Sequence, residues 1–310
     1  MIERIRRRVR SGPGVIRGIG DDCAVLRVPA GHELLVTTDF TLENVHFRRE
    51  WHPPEVVGRR CVTRGLSDIA AMGGEPRAVF LSLALDRSVP QKWVDRFVEG
   101  LLAATDEFGV PLAGGDTAQS AGGIQADIVV VGSVPGGKAV LRSGARAGDW
   151  IYVTGELGGS AGAIARLRKG KVRARDYERH FHPTARINAG VWLRRRGLAS
   201  SMIDVSDGLS TDLEHICEES RVGAEIEAAA IPRARVGRPL QQVAFDLALH
   251  GGEDYELLFT SASKIPSAIG DIPVSRIGRI TRKREMALVD EEGNSRRLVA
   301  AGWEHFRARV

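Results

Sequence analysis

Oxygen-bearing side chains recur beside small residues along this chain: Gly20-Asp21-Asp22, Thr37-Thr38-Asp39, Ser67-Asp68, Gly114-Gly115-Asp116, Asp204-Val205-Ser206-Asp207-Gly208 and Gly252-Glu253-Asp254. Each cluster alone suits a turn or a helix N-cap, because Asp, Ser and Thr bond nearby backbone N–H groups and Gly accepts unusual dihedrals. Together they make a hard-oxygen donor set with almost no paired His or Cys, which fits Mg2+ rather than zinc. Magnesium usually accompanies phosphates. A terminal phosphate carries about −1.5 to −2 charges near neutral pH, so uniting two phosphate-bearing substrates requires that charge to be balanced. Glycines beside the carboxylates would let backbone N–H groups approach phosphate oxygens.

Other chemistries find less support. Gly132-Ser133-Val134-Pro135-Gly136-Gly137-Lys138-Ala139 spells most of a P-loop but ends in Ala, so it lacks the hydroxyl that binds Mg2+, and no helix pattern follows. Gly155-Glu156-Leu157-Gly158-Gly159-Ser160 has the wrong spacing for a dinucleotide turn and reads as a close-packing turn or N-cap. Protein-kinase signatures such as H-R-D and D-F-G are absent. His180-Phe181-His182 has a spacing of two, which does not put both rings on one helical face.

The elements that must carry these residues mix both periods. Strand-like stretches cover 33–38, 77–85, 124–134 and 150–154, a further strand ends at Asp204, and another covers 256–260. Helix-like stretches cover 53–72, 90–108 and 184–196, with another starting at Leu209. The fold class is therefore α/β (mixed α+β). With 310 residues the chain reaches the size at which one core gives way to two, and a polar Gly-containing stretch at 143–149 sets domains at 1–145 and 146–310.

Composition narrows the classes further. Hydrophobic residues make up 43% of the chain, and the net charge of +5 comes from 44 basic side chains interleaved with 39 acidic ones, a pattern that disfavours a nucleic-acid binder. The basic run from Arg4 to Arg10 reads as the solvated face of a first helix. No stretch approaches the ~18 apolar residues of a membrane span. Cys23, Cys61 and Cys217 lie far apart with no C-x-x-C, which points to a reducing cytoplasm.

In order, Gly18-Ile19-Gly20-Asp21-Asp22-Cys23-Ala24, Thr37-Thr38-Asp39 with Asn44-Val45-His46-Phe47, and Leu66-Ser67-Asp68-Ile69-Ala70-Ala71-Met72-Gly73 resemble motifs of the thiamine-monophosphate kinase family. So do Gly114-Gly115-Asp116-Thr117, Arg142-Ser143-Gly144-Ala145, Ile203-Asp204-Val205-Ser206-Asp207-Gly208 and Gly251-Gly252-Glu253-Asp254-Tyr255-Glu256-Leu257. That family lies within the superfamily of aminoimidazole ribonucleotide synthase and selenophosphate synthetase. The resemblance implies that Asp22, Thr37, Thr38, Asp39, Asp68, Asp116, Asp204 and Asp207 ligate several Mg2+ ions. It implies that Gly115, Asp116, Arg142 and Ser206 contact ATP, and that His46, Glu253 and Trp303 contact thiamine monophosphate.

The resemblance also implies an N-terminal ATP/Mg-binding domain that pairs into a homodimer with a β-barrel-like core, and a C-terminal α/β domain that completes the site. The expected reaction is direct in-line phosphoryl transfer from ATP to thiamine monophosphate, with no catalytic nucleophile, because a phosphate acceptor is already anionic. Two alternatives stand beside it: another ATP-dependent enzyme of the superfamily, of the aminoimidazole ribonucleotide synthase or selenophosphate synthetase type, and a non-catalytic nucleotide-binding regulator. Against the selenophosphate type, the first cysteine, Cys23, lies inside the Gly-Asp-Asp turn. The chain ends Arg307-Ala308-Arg309-Val310, without the terminal Cys of hydrogenase-maturation relatives.

Overall fold

The computed structural model describes residues 2–9, 12, 14–20, 22–170 and 172–304. Asp21 of the first acidic cluster, Arg10 of the basic run and the chain end at 307–310 lie outside the described residues. The chain divides into two compact units, Met1–Ile69 with Gly74–Ala139, and Ala70–Gly73 with Val140–Val310. The mixed α/β class expected from the two periodicities holds in both units. No helix among the described residues is long and apolar enough to cross a membrane.

The first unit runs α1 (Ile2–Arg6), β1 (Val15–Arg17), β2 (Val25–Leu26), β3 (His32–Leu42), α2 (Pro54–Ala71), β4 (Glu75–Leu85), α3 (Gln91–Glu107), β5 (Leu112–Gln119) and β6 (Gln125–Pro135). Its four-stranded sheet has the order β3-β6-β4-β5, with β6 antiparallel to both neighbours and β5 parallel to β4. Alternation decides the faces. Ile128 and Val130 of β6 and Val79, Leu81 and Leu83 of β4 are buried on one face. Helix α3 adds Val94, Phe97, Val98, Leu101 and Ala104 at helical spacing. On the other face Leu34, Val36 and Phe40 of β3 remain 53%, 66% and 55% exposed.

The second unit runs β7 (Trp150–Thr154), α4 (Gly159–Leu167), α5 (Glu178–Phe181), α6 (Ile187–Arg195), β8 (Ser201–Asp204), α7 (Leu209–Ser220), β9 (Gly223–Glu227), β10 (Arg235–Val236), β11 (Gln241–Gln242), α8 (Phe245–His250), β12 (Leu257–Ser261), β13 (Ala268–Ile269), β14 (Ile272–Thr281), β15 (Met286–Val289) and β16 (Ser295–Arg297). Its main sheet follows β16-β15-β9-β14-β7-β12-β8. Both faces are apolar. Ile151, Val153, Ile203 and Leu258 pack with Leu209, Leu213 and Ile216 of α7. Tyr152, Met202, Leu257 and Phe259 pack with Ala189 and Leu193 of α6 and with Ala70 and Ala71.

Not every acidic cluster is a turn. Thr37-Thr38-Asp39 lies inside β3, Asp68 inside α2, and Gly114-Gly115-Asp116 inside β5. In β5 the parallel ladder to β4 overrides the turn preference of two consecutive glycines. The oxygens there are therefore held by regular backbone.

Candidate active site

In the first unit, β3 deals its candidate ligands to opposite faces, as a period of two requires. Thr37 donates its Oγ1 proton to Asp68 Oδ2 at 2.5 Å, and Arg64 Nη2 donates to Asp39 Oδ1 at 2.7 Å, so Thr37 and Asp39 face α2. Thr38 points the other way and donates to Asp127 Oδ1 at 2.6 Å. The register pairs Asp127 with Ser82 and Ser82 with Asp116, which puts Asp116 on that second, open face. Gly115 holds φ 150°, and a Cβ there would collide with the Leu81 carbonyl, so glycine is required where β5 crosses the site.

Asp39 and Asp116 sit on the two edge strands with β6 and β4 between them. Strand spacing puts them ~14 Å apart within one sheet. His46 lies in the turn after β3, where its Nδ1 accepts the Leu42 N–H at 3.0 Å; a neutral ring then carries its proton on Nε2. Asp22 is exposed in the connection between β1 and β2.

In the second unit several expected residues converge. Val205 N–H donates to Glu256 O at 2.7 Å, and Tyr255 N–H returns a bond to Val205 O at 2.9 Å. Glu253 N–H reaches Ser206 O at 2.8 Å, and Trp303 N–H reaches Asp207 O at 2.9 Å. Asp204, Ser206, Asp207, Glu253 and Trp303 thus share one turn at the start of α7. Glu253 and Tyr255 adopt left-handed φ values of 64° and 53° to make this return. Trp303 is 39% exposed, which leaves ring surface available for a ligand.

Arg142 is not part of this gathering. Ser220, the last residue of the 12-residue helix α7, donates to Arg142 O at 3.0 Å, about 18 Å along the helix from the Asp207 end. Among the described residues no three His, Cys, Asp or Glu side chains converge as a metal site within the chain. The expected ligands are divided by sheet face, by strand and by unit.

Buried partners that the sequence reading missed hold the second-unit turn. Asp212 accepts the N–H groups of Asp207 and Gly208 at 3.2 and 3.0 Å. Burial, and then the charges of Asp204 and Asp207, hold its carboxyl well above the usual range. Asp254 accepts from Gly158 N at 2.6 Å and Ser160 N at 3.3 Å at the start of α4. Burial pushes that carboxyl up to about 7, against the two N–H groups, which lower it. Glu256, 1% exposed, takes a two-pronged contact from Arg186 at 2.7 and 2.6 Å, with Thr154 at 2.7 Å and Arg179 at 3.1 Å. No period of two could have found them, because Asp254, Tyr255 and Glu256 are buried in succession and the left-handed φ values at Glu253 and Tyr255 break any alternation.

Comparison with known proteins matches the AIR synthase related protein N-terminal domain over residues 20–134 and its C-terminal domain over 146–291. A thiamine-monophosphate kinase of Escherichia coli (strain K12) is 37% identical over 321 aligned positions, covering 99% of this chain and 97% of that protein. The crystal structure of thiamine-monophosphate kinase from Stenotrophomonas maltophilia K279a superposes with a TM-score of 0.81 at 36% identity, over 93% of this chain and 95% of the other. AaThiL complexed with AMPPCP and TMP gives a TM-score of 0.78 at 30% identity, over 90% and 89%. Similar along nearly its whole length to these proteins, and with both domains present in order, the chain belongs to the thiamine-monophosphate kinase family of AIR synthase related proteins.

Proposed function

We propose that this chain transfers the γ-phosphoryl group of ATP directly to the phosphate of thiamine monophosphate, giving thiamine diphosphate and ADP in the cytoplasm, with no phospho-enzyme. The observation that carries this reading is the similarity over 97% of the length of a thiamine-monophosphate kinase. A relative of the same family has been solved with AMPPCP and TMP together. No side chain need act as nucleophile, because the acceptor phosphate is already anionic. The protein's work is positioning and charge balance.

In this reading Gly115, Asp116, Arg142 and Ser206 hold ATP, and His46, Glu253 and Trp303 hold the acceptor. The oxygen donors suit magnesium: Asp204 and Asp207 bring two carboxylates to the α7 turn, beside an Asp212 whose carboxyl is raised first by burial and then by their charges. Asp22, Thr37, Thr38, Asp39, Asp68, Asp116, Asp204 and Asp207 would hold the ions. Each ion needs only one or two carboxylates when phosphates and water complete its shell. Magnesium held there would supply positive charge to neutralise the phosphates.

The same reading includes a homodimer whose sheets form a barrel-like core. Two features support it: the long edge strand β3 exposes Leu34, Val36 and Phe40, and Asp39 and Asp116 stand on opposite edges of one sheet. A second copy of the chain supplies the half of each metal site that one sheet cannot bring near.

Purified protein incubated with ATP, MgCl2 and thiamine monophosphate should give equimolar thiamine diphosphate and ADP. A folded sample yielding neither would refute the activity, and a phosphorylated protein trapped by rapid quench with labelled ATP would refute direct transfer.

A further inference from the structure

Ser220 ends α7, yet all of its side-chain hydrogen bonds cross to a segment 75–78 residues earlier. Its oxygen accepts the N–H groups of Gly144 and Ala145, each at 3.1 Å, and its hydroxyl proton goes to the carbonyl of Arg142 at 3.0 Å. A hydroxyl offers one donor and two acceptor positions, and here all three are used on three residues of one four-residue stretch, 142–145. A serine in the last turn of a helix ordinarily bonds its own helix or water. As a helix former it is inferior to alanine, so helix stability does not explain it.

The segment is fixed from other sides as well. Gly144 has φ 127°, and a Cβ there would collide with the carbonyl of Ser200. Ala145 is buried, and the buried Asp149 accepts from Arg146 N at 3.0 Å and Ser200 Oγ at 2.6 Å. Arg142 itself is exposed. An exposed arginine on a segment tied down this completely is aimed by its backbone, because its long side chain has several rotatable bonds but only one origin.

We propose that Ser220 is a positioning residue for Arg142, fixing the backbone from which the guanidinium reaches the nucleotide. This rests on the reading of Arg142 as an ATP contact. Ser220 touches no substrate, and its effect is confined to the side of the reaction that Arg142 serves.

The test compares Ser220→Ala, Ser220→Thr, Ser220→Val, Arg142→Ala and the double variant Arg142→Ala/Ser220→Ala in the full-length enzyme, measuring KM for ATP, KM for thiamine monophosphate and thermal midpoint. Ser220→Ala should raise KM for ATP about three- to tenfold, the value of one or two neutral hydrogen bonds, with KM for thiamine monophosphate unchanged. Ser220→Thr, which keeps the hydroxyl, should lie near wild type, while Ser220→Val, of the same shape without it, should behave like Ser220→Ala. The Thr and Val pair gives the same comparison if Ser220→Ala does not fold. In the Arg142→Ala background the Ser220 change should add nothing. Equal rises in both KM values, or additive effects in the double variant, would overturn the proposal. A normal KM for ATP in Ser220→Ala beside a raised one in Arg142→Ala would sink Ser220 alone. A normal KM in Arg142→Ala would remove both the nucleotide role of Arg142 and the proposal built on it.

Discussion

The backbone of Asp207 is held from two sides. Its carbonyl receives Trp303 N–H and its N–H is held by Asp212, so the backbone stays fixed whatever the side chain carries. Asp207→Asn keeps that shape and removes a charge from the proposed metal set. Turnover should fall at least ~100-fold, the scale of losing one electrostatic partner in a reaction of this kind, while the thermal midpoint moves little. Unimpaired turnover would return Asp207 to a purely structural role. Asp254 makes a different prediction, because its carboxyl rises from 3.8 to about 7 in the fold. The native state then holds a proton that the unfolded chain releases. Its contribution to stability is complete below pH 3.8 and disappears as pH climbs through about 7. Denaturation midpoints measured from pH 5 to 8 should fall with this component, and Asp254→Asn should flatten the curve; an unchanged slope would show that Asp254 does not titrate there.

At the level of elements, the strand after Glu253 matters through what it buries. Glu256 on the approach to β12 is enclosed by Arg186, Arg179 and Thr154, and a charge removed there leaves a guanidinium without its counterion. Glu256→Gln should cost about 3 kcal/mol, the lower part of the range for breaking a buried pair, because Arg179 remains partly exposed. Urea unfolding with an unchanged m-value would measure it, and a loss below about 1 kcal/mol would place the pair among surface contacts. Much of this scaffold was legible beforehand. The helices expected at 53–72 and 90–108 form as Pro54–Ala71 and Gln91–Glu107, since their apolar spacing is long and regular. The strand β5 was not, because Gly114-Gly115-Asp116 reads as a turn until β4 is beside it. The candidate site was legible as a list of oxygens but not as an arrangement. Adjacent residues such as Thr37 and Thr38 face opposite ways in a strand, and the anchoring of Asp254 depends on helix α4, almost 100 residues away.

For the whole molecule, the open face of the first-unit sheet and the split of Asp39 from Asp116 lead to one experiment. If each site draws Asp39 from one protomer and Asp116 from the other, Asp39→Asn and Asp116→Asn are each inactive alone. Mixing them by unfolding and refolding together should recover about one quarter of wild-type activity, because half the dimers are mixed and each then holds one intact site. A site built within a single chain would recover none.

The helix α2 has its own consequence at this scale. Its last two residues and the turn that follows, Ala70–Gly73, group with the second unit although the rest of the helix groups with the first. Ala70 and Ala71 pack with Leu193 and Met202, Met72 O accepts Val140 N–H at 3.1 Å, and Gly73 O accepts Arg194 Nε at 2.6 Å. A gene fragment that begins at Val140 therefore encodes a C-terminal half with an apolar seam uncovered and two backbone carbonyls missing. A chimera that exchanged the two halves between relatives would have to carry this four-residue piece with the C-terminal half.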